Sequence, residues 1–299
     1  METQTQTNVV QTAPVQAPTV EQSFKIEDVL NMVKKVNDTF AYEVFIPSLN
    51  KTIFFREINT SQQKRLIKAI IDSPVFNTEF IFALRQIIKE NCVDEKIVTD
   101  NLNILDKFVI ALSMRSVSIG DSYEVEIECP NEKCKTPYKQ TLSLKEITDK
   151  AKSIKLVNKT ITDESGKFSC DCSIPTISIE YQLEKEFRSN VDDSDIKNVE
   201  EARKMIGEVF IGEIVKYINT LTVVTPEKTI QFSFNNVSMQ NRITLIEQLP
   251  DKFIKKIIEY INDISKEVDK VSLLNFECKK CKEKIDWRMT LNANFFTNS

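Results

Sequence analysis

Apolar positions along the chain repeat with two different periods, and the change between them divides it into segments. Between Phe24 and Phe40, Ile26, Val29, Leu30, Met32, Val33 and Val36 recur at helical spacing, which predicts an amphipathic helix. A hairpin is expected next, with strands at Tyr42–Pro47 and Thr52–Ile58 around Leu49-Asn50-Lys51. Thr60 and Gln63 have capping-box spacing, so a helix should cover Ser61–Asp72, followed by helices at Thr78–Glu90 and Thr99–Arg115. The third of these aligns Leu102, Leu105, Phe108, Val109 and Leu112 on a face that should pack inward.

Ser116 to Asp121 reads as a stop and turn, with Arg115 placed to cap the last helical carbonyls and Gly120 to take a positive φ. The period then shortens to two. Tyr123, Val125, Ile127 and Cys129 alternate with polar residues, and further strand signals occur at Tyr138–Leu144, Ile154–Val157, Phe168–Cys172 and Thr176–Gln182. The acidic stretch Ser189–Glu201 reads as a loop or domain joint, followed by a helix over Val199–Asn219 and a hairpin over Thr220–Phe232 turning at Thr225-Pro226-Glu227-Lys228. Helices at Met239–Gln248 and Pro250–Val268, Pro250 at a first helical position, lead to a last pair of strands. These are Ser272–Cys278 and a strand in which Ile285, Trp287, Met289 and Leu291 alternate; Trp287 is expected in the core.

The pattern predicts an α+β fold of helices and several short antiparallel hairpins, with a split four-cysteine zinc-ribbon-like element. Three regions are expected: a flexible N-terminal arm at 1–22, a helical and hairpin domain at 23–188, and a helical domain at 189–299 that returns to pack on the first. The arm is a Gln/Thr/Pro/Val tract too poor in apolar surface to offset the entropy of ordering.

Composition removes several function classes. The 299 residues contain no histidine, the commonest general base, and four unclustered glycines, too few for a phosphate-cradling loop. No enzyme activity and no small-molecule substrate is therefore expected. The net charge of −4 disfavours nucleic acid as the main partner. The absence of any long apolar run or signal-peptide pattern predicts a chain that avoids membranes and folds in a reducing cytosol.

Seven cysteines supply the candidate chemistry. An odd number without an export signal argues against a disulfide framework. Cys129-Pro-Asn-Glu-Lys-Cys134 and Cys278-Lys-Lys-Cys281 each fall at the tip of an expected hairpin, so the two tips could combine into one tetrahedral all-sulfur zinc site. Two separate reduced turns are the alternative. Lys133, Lys135, Lys279, Lys280 and Lys282 would offset the −2 charge of four thiolates around Zn²⁺. Cys170 and Cys172, two apart on one strand, compete for the metal but are expected to be buried thiols, and Cys92 a core or boundary thiol.

The order of these features resembles the baseplate hub subunit family of T-even-type contractile-tailed phages over roughly 40–299. The resemblance rests on Thr52-Ile-Phe-Phe-Arg56-Glu57-Ile58-Asn59-Thr60 before a Lys64-containing helix, and on Leu112-Ser-Met-Arg115-Ser-Val-Ser118-Ile-Gly120-Asp121 leading into strand, knuckle and strand. Gln248-Leu249-Pro250, the late C-x-x-C and Asn294-Phe295-Phe296 complete it. The chain departs from the pattern in its N-terminal arm and in the longer first knuckle.

The resemblance implies a structural or assembly protein of the baseplate hub in the virion tail. It would be assembled in the host cytoplasm, contact other baseplate and tail proteins, and carry out no reaction. Phe295 and Phe296 are candidates for a partner-binding anchor, with a core contact as the other reading. The runner-up function is a zinc-ribbon nucleic-acid-binding or transcription-type factor.

Overall fold

The computed structural model describes residues 25–72, 78–190, 207, 210–234, 237–291 and 293–296. The arm expected at 1–22, and most of the joint and helix expected over 189–219, lie outside them. The chain divides into two units, Met1–Thr39 and Phe40–Ser299.

In the first unit, α1 (Ile26–Asn37) forms where the apolar period predicts it, with Glu27 and Asp28 in the first turn and Lys34 and Lys35 in the last. That order complements the helix dipole. None of its side chains is buried.

The second unit opens with the antiparallel hairpin β1 (Ala41–Ile46) and β2 (Lys51–Arg56), whose turn places Asn50 at φ 46°. Helices α2 (Thr60–Asp72) and α3 (Thr78–Asn91) follow. The box that starts α2 lies one residue earlier than expected: Gln62 N–H donates to Asn59 Oδ1 at 2.9 Å, and Asn59 N–H to Gln62 Oε1 at 3.1 Å. The helix expected from Thr99 begins instead at Ile104, because Asn103 and Asp106 form their own capping box after a short 3₁₀ turn. This helix, α4 (Ile104–Ser118), runs through the interior and buries Leu105, Val109, Leu112 and Met114.

β3 (Ser122–Glu128) and β4 (Pro137–Ser143) make the first cysteine-tipped hairpin, followed by the short helix α5 (Leu144–Lys150). No strand forms at Ile154–Val157; the chain pairs next at β5 (Lys159–Thr162) and β6 (Phe168–Cys172). Thr176–Gln182 is helical rather than extended, because Thr176 Oγ1 accepts the Ile179 N–H and starts α6 (Ile177–Asn190). Helical residues at 210–215 lead into β7 (Ile218–Val224) and β8 (Thr229–Ser233), completing a four-stranded antiparallel sheet ordered β5-β6-β7-β8.

Helices α7 (Met239–Glu247) and α8 (Asp251–Ser272) follow, with Pro250 at the N-cap rather than the first turn. The second cysteine-tipped hairpin, β9 (Leu273–Glu277) with β10 (Lys284–Arg288), and a 3₁₀ turn at Ala293–Phe296 end the described chain. The result is mixed helix and antiparallel sheet, in agreement with the α+β expectation.

Two apolar cores share the second unit. The first gathers β1–β4, α2–α5 and residues from Val271 to Phe296. The second is drawn from Ile161 to Ile264. They adjoin along α6, where Ile177 belongs to the first and Ile179 and Leu183 to the second, and along α8.

Candidate metal centre

Alternating burial along β3 places Tyr123, Val125 and Ile127 inward, and Cys129 continues the same face. On the second hairpin, Leu274 and Ile285 are buried, while Trp287 is only half-buried opposite Leu274 and near the Phe276 ring.

The two tips share one construction despite their different lengths. In the second, Lys282 N–H donates to Cys278 O at 2.9 Å, Lys282 adopts φ 63°, and Cys278 N–H donates to Glu283 O at 2.8 Å. In the first, Lys135 N–H donates to Asn131 O at 3.0 Å, Lys135 adopts φ 40°, and Cys129 N–H donates to Thr136 O at 3.2 Å. The tight turn proper is thus Asn131–Lys135. Cys129 sits two residues ahead of the first residue of that turn, whereas Cys278 is itself the first residue of its own, and both still pair by their N–H with the strand opposite.

Backbone direction supports negative charge on sulfur. Each cysteine has the N–H of the residue two further on directed at its Sγ: Asn131 for Cys129, Thr136 for Cys134, Lys280 for Cys278 and Glu283 for Cys281. The hairpins bring all four Sγ atoms within 4.8 Å of one another, although the pairs lie far apart in sequence. Cys129 and Cys281 sulfurs are 3.5 Å apart and those of Cys134 and Cys278 3.8 Å. A disulfide would need about 2.05 Å, whereas a tetrahedron with metal–sulfur bonds of about 2.3 Å has edges of about 3.8 Å.

The electrostatics fit a cation as well. N–H groups of Cys281 and Lys280 pull the Cys278 thiol down to about 6, and the Thr136 hydroxyl lowers Cys134. Burial and then the neighbouring sulfurs push Cys129 up to about 12. Some thiolates form readily there, but their repulsion opposes the full set until a cation compensates it. A buried hydroxyl points the same way. Tyr138 OH, on β4, has no hydrogen-bond partner among the described residues, and burial, followed by charge on Cys278 and Cys129, raises its pKa. Lys279 Nζ lies 5.7 Å from the centre of the same ring, which places the ring against the second knuckle. The cluster thus has an unsatisfied O–H donor near it. The residues present therefore fit a divalent ion with a preference for sulfur.

This is the only such ligand group among the described residues, and Cys170 and Cys172 are not in it. Their sulfurs face each other at 3.4 Å in the second core, both 1% exposed. Cys92 is half-buried, its Sγ 3.7 Å from Asp94 O.

Phe295 and Phe296 require a correction. Both are fully buried: Phe295 stacks edge-on to Tyr123 at 5.2 Å, and Phe296 lies 6.1 Å from Phe80. They are interior residues rather than an exposed anchor. The same contacts give Arg115 a role that helical spacing could not reveal. Its Nε donates to Phe295 O at 2.7 Å and its Nη1 to Gly120 O at 2.6 Å, so it joins the end of α4 to the returning chain. Gly120 takes φ 146°, as expected.

A family model described as T4 bacteriophage base plate protein matches residues 39–297. The chain belongs to this T4 baseplate family. Neither a curated protein nor a solved structure matches it. The matched region contains both cysteine tips and the whole first core and stops short of α1. Membership makes this a structural protein of the phage baseplate, located in the virion tail, that interacts with other tail proteins. A structural family of this kind points away from enzymatic activity. Among the described residues no helix is long and apolar enough to cross a membrane.

Proposed function

We propose that this baseplate protein is a component or assembly factor of the hub region, working through protein–protein contacts, and that Cys129, Cys134, Cys278 and Cys281 hold a structural zinc ion. The observation that carries the reading is a cluster of four protein thiols closing a chain of the baseplate family. Four thiolates at tetrahedral spacing favour zinc among common divalent ions, and they fill its coordination shell, leaving no place for water or substrate. The ion would tie the last hairpin to the first and fix the surface offered to neighbouring subunits. Assembly would take place in the host cytoplasm.

Elemental analysis of the purified chain should find one zinc per molecule, lost in Cys278→Ser. Affinity capture of tagged chain from infected cells should recover hub proteins. Zinc without those partners defeats the hub role; those partners without zinc defeat the metal assignment.

Exposed Lys133, Lys135, Lys279, Lys280 and Lys282 around the cluster favour a second reading, a nucleic-acid contact of zinc-ribbon type. Glu277 pairs with Lys282 at 3.2 Å, and the net charge of −4 opposes that field. A salt-sensitive mobility shift with DNA or RNA would establish it.

A further inference from the structure

Helix α1 carries six large apolar side chains and hides none of them. Ile26, Val29, Leu30, Met32, Val33 and Val36 are 40–69% exposed. A helix of 12 residues is marginal in water by itself, and a continuous apolar stripe along it is normally covered. The charges bordering the stripe indicate what covers it. Glu27 and Lys34 are seven residues apart, two helical turns, and so border one side; Asp28 and Lys35 repeat the arrangement on the other. Each border therefore runs from acid at the N-terminal end to base at the C-terminal end.

Two such helices side by side are complementary in one direction only. When antiparallel, each border meets its own kind reversed, so Glu27 faces Lys34 and Asp28 faces Lys35 of the other copy, and the helix dipoles oppose. When parallel, Glu27 meets Asp28 and Lys34 meets Lys35, which places like charges together. We infer that α1 pairs antiparallel with α1 of a second copy of this chain. The stripe supplies the contact and the bordering charges supply the direction. Exposed ion pairs add little affinity, but like charges in register exclude the wrong arrangement. The inference is independent of the metal centre and of the hub role.

Sedimentation of the purified full-length protein over a range of concentrations tests it. Wild type should dimerise reversibly. V29D/V33D should weaken the dimer at least tenfold while leaving the thermal unfolding of the remainder unchanged. K34E/K35E and E27K/D28K should each self-associate more weakly than wild type, and an equimolar mixture of the two should dimerise again.

Direction is read with the fourfold exchange E27K/D28K/K34E/K35E, which should dimerise with itself but not mix with wild type; mixed dimers would mean a parallel pair. A chain that stays monomeric throughout, including one whose α1 binds lipid vesicles or another tail protein instead, overturns the inference. So does a dimer indifferent to V29D/V33D.

Discussion

The two cores of the 40–299 unit are secured by different means. The second comes from one continuous stretch and closes by packing: Phe253, Ile257, Tyr260 and Ile264 of α8 lie in it, and Tyr260 OH reaches Val157 O at 3.1 Å and Cys172 O at 3.3 Å. The first takes residues from both sides of that stretch. Its late contribution arrives on a hairpin that, among the described residues, pairs with no other strand, just as β3 and β4 pair only with each other. A two-stranded hairpin is marginal alone, so joining two of them without a shared sheet requires another linkage. The sulfur cluster, Arg115 and a hydrogen bond from Gln63 Nε2 to Phe296 O at 3.0 Å provide it. A core interrupted in sequence thus depends on point attachments where a continuous one can rely on area.

The strongest way to break this contrast is to remove the metal proposed for the cluster. A structural zinc site contributes on the order of 10 kcal/mol, comparable to the whole stability of an ordinary domain. Chelation or Cys278→Ser should therefore abolish hydrogen-exchange protection in β3, β4, β9 and β10 while amides between Ile161 and Ile264 keep much of theirs. Equal loss in both cores would show that the cluster supports no particular region.

Truncation of one buried side chain in each core comes next. Phe295→Ala should cost about 3–5 kcal/mol and Ile257→Ala about 2–5 kcal/mol in denaturant unfolding. Only Phe295→Ala should also loosen the metal, measured as faster zinc transfer to a chromogenic chelator.

The smallest effect is on acid stability. Arg65, with Gln62 and Gln86, holds the Glu90 carboxyl at about 2, below its ordinary 4.5. Stability from this group is present above about pH 4.5 and is lost as pH falls toward 2. Glu184, on α6 beside the second core, is shifted the other way by burial and by Glu180, so protonating it favours folding. Glu90→Gln should flatten the acid limb of the stability–pH curve, and Glu184→Gln should steepen it.

The sequence reveals these two regions unequally. Both cysteine tips are legible because a knuckle is a local object: spacing, flanking strands and turn lie within about twenty residues. The α1 stripe and the β1–β2 hairpin are legible for the same reason. The short alternation over Thr176–Gln182 misleads, because seven residues fit a strand and an amphipathic helix equally well, and the deciding contact is the Thr176 cap. Two neighbouring polar pairs, Asn59/Gln62 and Thr60/Gln63, both fit a capping box, and spacing cannot choose between them. The four-stranded sheet is hidden because β6 and β7 pair across α6 and the whole 191–217 stretch, and periodicity carries no information about such distant partners. Burial of Phe295 and Phe296 depends on Arg115 and Tyr123, some 170–180 residues earlier, and is hidden for the same reason.

Cys278 follows Cys134 by 144 positions, a separation that also sets a schedule. At about 5–20 residues per second, the ribosome exposes the first pair of thiols roughly 7–30 s before the second exists. Throughout that interval the early hairpin lacks the other two thiols and the aromatic turn whose Phe295 packs against Tyr123. A chain interrupted during synthesis therefore stops with two of the four thiols of the cluster.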